Sequence, residues 1–196
     1  MVGQRRRRLA SLFAAAAVTA VVVPVVGASS AEAYTYTGCR WASGRVTLRN
    51  TSSANYSGAT DAAMNAWNGG TKSGVYFAKV GGAANVVTDD YNLGNVGFDG
   101  GTYNATSCPG GYLDNNGTQV VSRYNTFYTG GYNVSQRTSV MAHELGHVYG
   151  LNHSDDGAVP PCAQTKLMFR SSDHRTIECA IYGPRTDDLN GVNARY

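Results

Sequence analysis

The stretch His143-Glu144-Leu145-Gly146-His147-Val148-Tyr149-Gly150-Leu151-Asn152-His153 carries more of the reading than any other part of the chain. Residues four apart on an α-helix lie about 400° around its axis, so His143 and His147 share one face, a single turn apart, and can reach one metal ion. Glu144 flanks that face. Gly150 can take the left-handed conformation that ends a helix, which turns the chain back and brings His153 toward the same point. Three neutral imidazoles leave the fourth position of a tetrahedral zinc open to water, as in catalytic rather than structural sites. Zinc lowers the pKa of such a water toward about 7, and a carboxylate at Glu144 is placed to take its proton. The expectation is one catalytic Zn2+ held by His143, His147 and His153, with Glu144 as general base.

A plainer reading competes with this one. A helical histidine is more often a hydrogen-bonded surface or core residue than a ligand, and H-E-x-x-H alone arises by chance. The added glycine and third histidine weigh against chance. So does composition: the chain has four histidines, and three fall within these eleven residues. The fourth, His174, sits in a polar run and reads as a solvated side chain.

The segment Ala142-His143-Glu144-Leu145-Gly146-His147, followed by Gly150-Leu151-Asn152-His153-Ser154, resembles the metzincin clan of zinc endopeptidases. Within that clan it is most similar to the matrixins, in which serine commonly follows the third histidine. The resemblance implies an α+β, zincin-like fold: a twisted mixed β-sheet with two long packed helices and a C-terminal helix. It also implies a methionine turn below the metal, matched by Leu167-Met168-Phe169, with Met168 supporting the site. Met168 alone would read as a core gap-filler. The segment Thr186–Tyr196 resembles the helix that closes matrixin catalytic domains, including its paired aspartates, Asp187 and Asp188. Those residues join a buried ion-pair or hydrogen-bond network, as in that family, or merely cap a helix start; the sequence leaves both open.

Departures from the pattern carry their own expectations. No histidine precedes His143, so the second, structural zinc of matrixins is not expected. Asp89, Asp90, Asp99 and Asp114 could bind calcium through oxygens, but no EF-hand-like spacing supports it. Phe169 stands where the matrixin turn commonly has tyrosine. No long inhibitory prosegment is visible.

The N-terminus reads as a secretory signal peptide. Arg5 to Arg8 form a basic region, Leu9 to Val26 an apolar stretch, and Ala31-Glu32-Ala33 an A-x-A cleavage site. An uncleaved membrane anchor is the alternative. The expected organisation is 1–33 as signal peptide and 34–196 as one catalytic domain, secreted and extracellular, without stable membrane association after cleavage. The whole chain has 16 basic and 13 acidic residues; residues 1–33 hold four arginines and one glutamate, so the remainder has 12 of each. The net positive charge therefore gives no reason to expect a nucleic-acid partner. A monomer acting on a protein or peptide substrate is expected.

Secretion also accounts for four cysteines, which suit two disulfides although the sequence allows three pairings. Cys39–Cys108 with Cys162–Cys179 is the preferred set, the second closing a loop around the methionine turn. In the rival reading, Cys39 is a thiolate that plugs the zinc, as in matrixin precursors.

Elsewhere, Ala59, Ala62, Ala63, Ala66 and Trp67 recur at helical spacing, with Gly69-Gly70 as a stop. Strand-like runs fall at Arg45–Arg49, Val75–Val80, Asn85–Thr88 and Gln119–Tyr128. The resemblance implies that an extended substrate lies along a sheet edge, expected within Asn95–Tyr103. Met141, Leu145 and Val148, at i, i+4 and i+7, point away from the two helical histidines and would bury that helix against the sheet. The functional expectation is a secreted zinc-dependent endopeptidase. The alternatives are a non-enzymatic binding module that keeps the fold, or a zinc hydrolase of small amides.

Overall fold

The computed structural model describes residues 34–196 apart from 116, 118 and 155–157. The expected signal peptide, 1–33, lies outside the described residues. Among the described residues, no helix is long and apolar enough to cross a membrane.

Five strands form one mixed sheet. They are β1 (Arg45–Asn50), β2 (Tyr76–Lys79), β3 (Val86–Tyr91), β4 (Gly100–Tyr103) and β5 (Val120–Asn125), in the order β2-β1-β3-β5-β4. All neighbours are parallel except β4, which runs antiparallel to β5 and pairs Gly100 with Tyr124 and Tyr103 with Val121. Helix α1 (Ala54–Gly70) joins β1 to β2, while a short helix α2 (Thr126–Thr129) leads from β5 to α3 (Val134–Val148), and α4 (Thr186–Arg195) closes the chain. A π-helical turn, Asp173–Glu178, precedes α4.

The alanine pattern of α1 has a direct packing reason. Ala59, Ala63, Met64 and Trp67 are buried on one face, and the indole of Trp67 donates to the Ala142 carbonyl of α3 at 2.8 Å. Ala62, expected on that face, is exposed; the buried stripe instead includes Tyr56 and Thr60. Helix α3 starts at a reciprocal cap, in which Asn133 Oδ1 accepts from Gln136 N and Gln136 Oε1 from Asn133 N, both at 2.9 Å. Its buried face carries Val140, Met141, Leu145 and Val148, all with no exposed area. Each such side chain contributes about 1.5–3 kcal/mol of burial free energy.

Two strand expectations change. The run Gln119–Tyr128 ends as strand at Asn125, because that side chain accepts from Phe127 N at 3.1 Å and starts α2. The same buried amide donates to the carbonyls of Gly94 and Phe98 and accepts from Leu93 N. It thereby staples an irregular loop, and within Asn95–Tyr103 only Gly100–Tyr103 is strand. At Gly100 the edge strand lies so close to α3 that a Cβ would come within 2.7 Å of Val140 Cγ1 and 3.0 Å of Glu144 Oε1. A side chain there would push β4 off the helix.

Candidate metal centre

Helix α3 presents His143 and His147 on one face, and the turn after it supplies His153. Gly150 adopts φ +82°, and the chain reverses with Gly150 N bonded to His147 O at 2.9 Å and Leu151 N to Gly146 O at 3.1 Å. A side chain at 150 would be strained there and would also meet the Cys39 carbonyl and Arg195. The N-terminal segment braces the turn from outside: Thr37 N donates to Gly150 O at 2.9 Å and Asn152 N to Thr35 O at 2.7 Å.

The imidazoles are fixed from behind. His143 Nδ1 lies 2.7 Å from Leu167 O, and His147 Nδ1 lies 2.8 Å from Leu151 O. A carbonyl can only accept, so each Nδ1 carries the proton and each Nε2 keeps its lone pair. Burial lowers the pKa of His143 well below its usual value, with Arg175 adding to the effect, and lowers that of His147 to about 4. Both rings are thus in the neutral form that a metal requires.

Ligand atoms of the three histidines lie within 4.8 Å of one another, and the Nε2 atoms of His143 and His153 are 3.2 Å apart. Two nitrogens on a tetrahedral zinc at about 2.0–2.1 Å would be separated by about 3.3–3.4 Å. The donor set and its spacing fit that ion.

Glu144 is buried beside the cluster. Thr102 Oγ1, on β4, lies 2.8 Å from Glu144 Oε2 and 2.9 Å from its main-chain carbonyl. Loss of hydration pushes the carboxyl up to about 8, against the opposing pull of the Thr102 hydrogen bond. The group can therefore hold a proton at neutral pH and give it up when a cation arrives nearby.

Met168 packs under the helix. A Cβ on Gly146 would overlap the Met168 sulfur and come within 3.2 Å of the Trp67 ring, so the absent side chain lets the methionine approach α3. The turn that carries Met168 is held by Asp188, whose Oδ2 accepts from Leu167 N at 3.0 Å and Oδ1 from Met168 N at 3.1 Å. Asp188 also accepts from Arg185 N at 2.9 Å, and Asp187 pairs with Lys166 at 2.9 Å. Both sequence alternatives therefore hold at once: Asp188 starts α4 and anchors the turn whose carbonyl orients His143.

Arg175 carries no signal of its role in the sequence. Its guanidinium, 1% exposed, donates to Phe169 O at 2.6 Å and contacts Ser139 Oγ on α3 at 3.4 Å. Nothing in Asp173-His174-Arg175 separates a buried cation from a solvated one. His174 needs correction as well: it is 8% exposed, not solvated. Its Nδ1 lies 2.6 Å from Glu178 Oε2, and its Nε2 lies 3.0 Å from Thr165 Oγ1 and 2.9 Å from Pro160 O.

Both disulfides are formed, Cys39–Cys108 and Cys162–Cys179, with no free cysteine. Cys39 is consequently no thiolate, and the reading in which it blocks the metal falls. The four acidic candidates for calcium are engaged by protein groups: Asp89 pairs with Arg123, Asp90 accepts from Ser53, Asp99 from Ser172, and Asp114 from Ala42.

Fold and site together define a mixed α/β protein with a three-histidine centre beside one buried carboxyl. No protein-family model matches the chain, and no curated protein matches it. The solved structure of myroilysin is similar over 79% of this chain and 76% of that one, at 15% identity and a TM-score of 0.44. That likeness is too slight to carry any part of the functional argument.

Proposed function

We propose that the protein is a secreted zinc-dependent endopeptidase of metzincin type, most similar to the matrixins. The observation that carries this reading is the convergence of ligand atoms from three histidines next to a buried carboxyl whose pKa is raised, in a solvent-open cleft of about 750 Å³. His143, His147 and His153 would hold one zinc. When bound, it would polarise the scissile carbonyl and acidify the attacking water.

The chain's own groups do the rest. Glu144 takes the proton of the attacking water and later delivers it to the leaving amine. Thr102 holds that carboxyl against the edge strand. Met168 and Asp188 set the floor from which Leu167 O orients His143. Strand β4 ends the sheet order, with β5 on one side; its free edge offers main-chain donors and acceptors to an extended peptide, independent of side chain. Two disulfides suit an oxidising compartment. The balanced charge of residues 34–196 argues for protein rather than nucleic acid as partner.

The test is hydrolysis of casein by the secreted, zinc-loaded protein, with metal content measured alongside. One zinc per chain and cleavage are expected. Glu144→Gln should keep the zinc and lose about 10²–10⁴-fold in rate, since it removes the base and preserves size. Loaded protein that cleaves nothing points to the binding-module alternative, and near-normal activity in Glu144→Gln would sink the assigned mechanism.

A further inference from the structure

Successive residues of a strand point to opposite faces of its sheet. Val46, Leu48, Val86, Val120 and Tyr124 are buried toward the helices, where Thr60 of α1 bonds the Tyr124 hydroxyl at 3.3 Å. The residues between them point the other way. On that side Arg45, Tyr76, Tyr91 and Tyr103 are exposed, and Arg49 and Arg123 are half-buried, so the face is open to solvent at these positions. Asp89 is the single acidic side chain that the strands place there, and both of its oxygens are taken by Arg123 at 2.6 Å. The same guanidinium lies over the rings of Tyr91 and Tyr103, 5.7 and 6.0 Å from their centroids. Arg45 and Arg49, on β1, have no ion pair or side-chain hydrogen bond among the described residues, and Arg49 Nε is buried without an acceptor. The open face therefore carries two uncompensated cations on one strand.

We propose that this face is a docking site for an extended, acidic segment of a polypeptide, bound at a distance from the metal centre. The charge of the face selects an anion, and a carboxylate matches the planar fork of a guanidinium while giving Arg49 Nε the acceptor it lacks. The spacing suits an extended chain. Four residues of a strand span about 13 Å, and an extended ligand turns every second side chain to the same side, so carboxylates at i and i+4 match Arg45 and Arg49. The choice of a polypeptide rests on the peptidase reading: on β4, Thr102 reaches Glu144 while Tyr103 stands on the open face, and β1 is three strands away, about 14 Å. A protein lying along the free edge of β4 thus has the arginines within reach of a segment a few residues further on, and a second contact raises its effective concentration at the cleft. An acidic polysaccharide offers the same charge, but sugars stack on free ring faces, and Arg123 already lies over the rings of Tyr91 and Tyr103.

The test is fluorescence anisotropy with zinc-loaded Glu144→Gln protein, which leaves the probe uncut, and a labelled peptide with a glutamate at every fourth position, compared with its glutamine counterpart. Binding is what is read, so the result is separate from whether the unaltered protein hydrolyses anything. The glutamate peptide should bind tighter by about fivefold or more, the combined worth of two exposed ion pairs. Adding Arg45→Gln and Arg49→Gln should abolish that preference, whereas Arg45→Lys with Arg49→Lys keeps both charges and should retain most of it. Equal binding of the two peptides, a preference that survives the glutamine pair, or one lost as fully with the lysine pair overturns the docking site and leaves the peptidase reading standing. Tighter binding of polygalacturonate than of the glutamate peptide, at equal carboxylate concentration, overturns it too, because a polysaccharide is then the occupant.

Discussion

Among the described residues, ligand atoms of three metal-binding side chains come within 4.8 Å of one another in two places: at His143, His147 and His153, and at Cys162, His174 and Cys179. By distance alone the two groups are equals. They differ in what their atoms are free to do. In the first, main-chain carbonyls occupy Nδ1 of His143 and His147, and the Nε2 atoms of His143 and His153 lie 3.2 Å apart. In the second, the sulfurs are bonded to each other, and both nitrogens of His174 already have partners. The first group is a centre held ready for an ion, whereas the second is a finished cross-link with a histidine packed on it. A metal site is defined by what fixes the far end of each ligand, more than by proximity.

Removing one member from each group breaks the comparison open. His153→Ala deletes a ligand, and zinc affinity should fall by about 10³-fold or more, a share of the roughly 10–16 kcal/mol that a full set of protein ligands provides. Competition against a chromogenic chelator measures this directly. An affinity unchanged within threefold would mean that His153 does not bind the ion.

The paired substitution Cys162→Ser/Cys179→Ser should act on stability and spare metal stoichiometry. The bridge spans 17 residues of sequence, and a loop of about 15 residues contributes roughly 3 kcal/mol in the chain-entropy model. That loop contains the methionine turn, so the expected outcome is a lower denaturation midpoint with one zinc still bound. Loss of zinc from protein that remains folded would show that the second group takes part in metal binding after all.

The unequal legibility of the two groups has a physical cause. The histidine centre is local: four-residue helical spacing and a glycine that can turn left-handed place all three ligands within one segment. The same locality made the buried face of α3 readable. What completes the site is remote in sequence. Thr102 reaches Glu144 across 42 residues and Arg175 reaches Ser139 across 36, and no periodicity encodes such contacts. Gly146 is similar, since nothing local distinguishes a glycine that merely fits a helix from one that admits Met168. The polar run around His174 misleads for the same reason: its neighbours in sequence are polar, while its neighbours in space are Thr165, Pro160, the disulfide and the Phe169 ring. Asn125 falls inside the expected run Gln119–Tyr128, yet it ends the strand and fixes the loop that leads into β4.

The smallest expected effect tests the correction at His174. In His174→Gln the side-chain amide keeps some hydrogen-bonding capacity but cannot reach Glu178 and Pro160 from opposite ends as the ring does. At least one group in this nearly buried place then loses its partner. The net worth of a hydrogen bond is about 0.5–1.5 kcal/mol, which for a chain of this size corresponds to a fall in Tm of roughly 2–4 °C per kcal/mol. Because His174 binds no metal in this account, zinc stoichiometry and the rate of peptide hydrolysis should stay within twofold of the unaltered protein. A solvated side chain, as its sequence neighbours suggest, would give no shift in Tm at all. A fall in bound zinc comparable to that of His153→Ala would instead show that the two groups are not separate, and that the committed lone pairs of the second do not keep it from acting with the first.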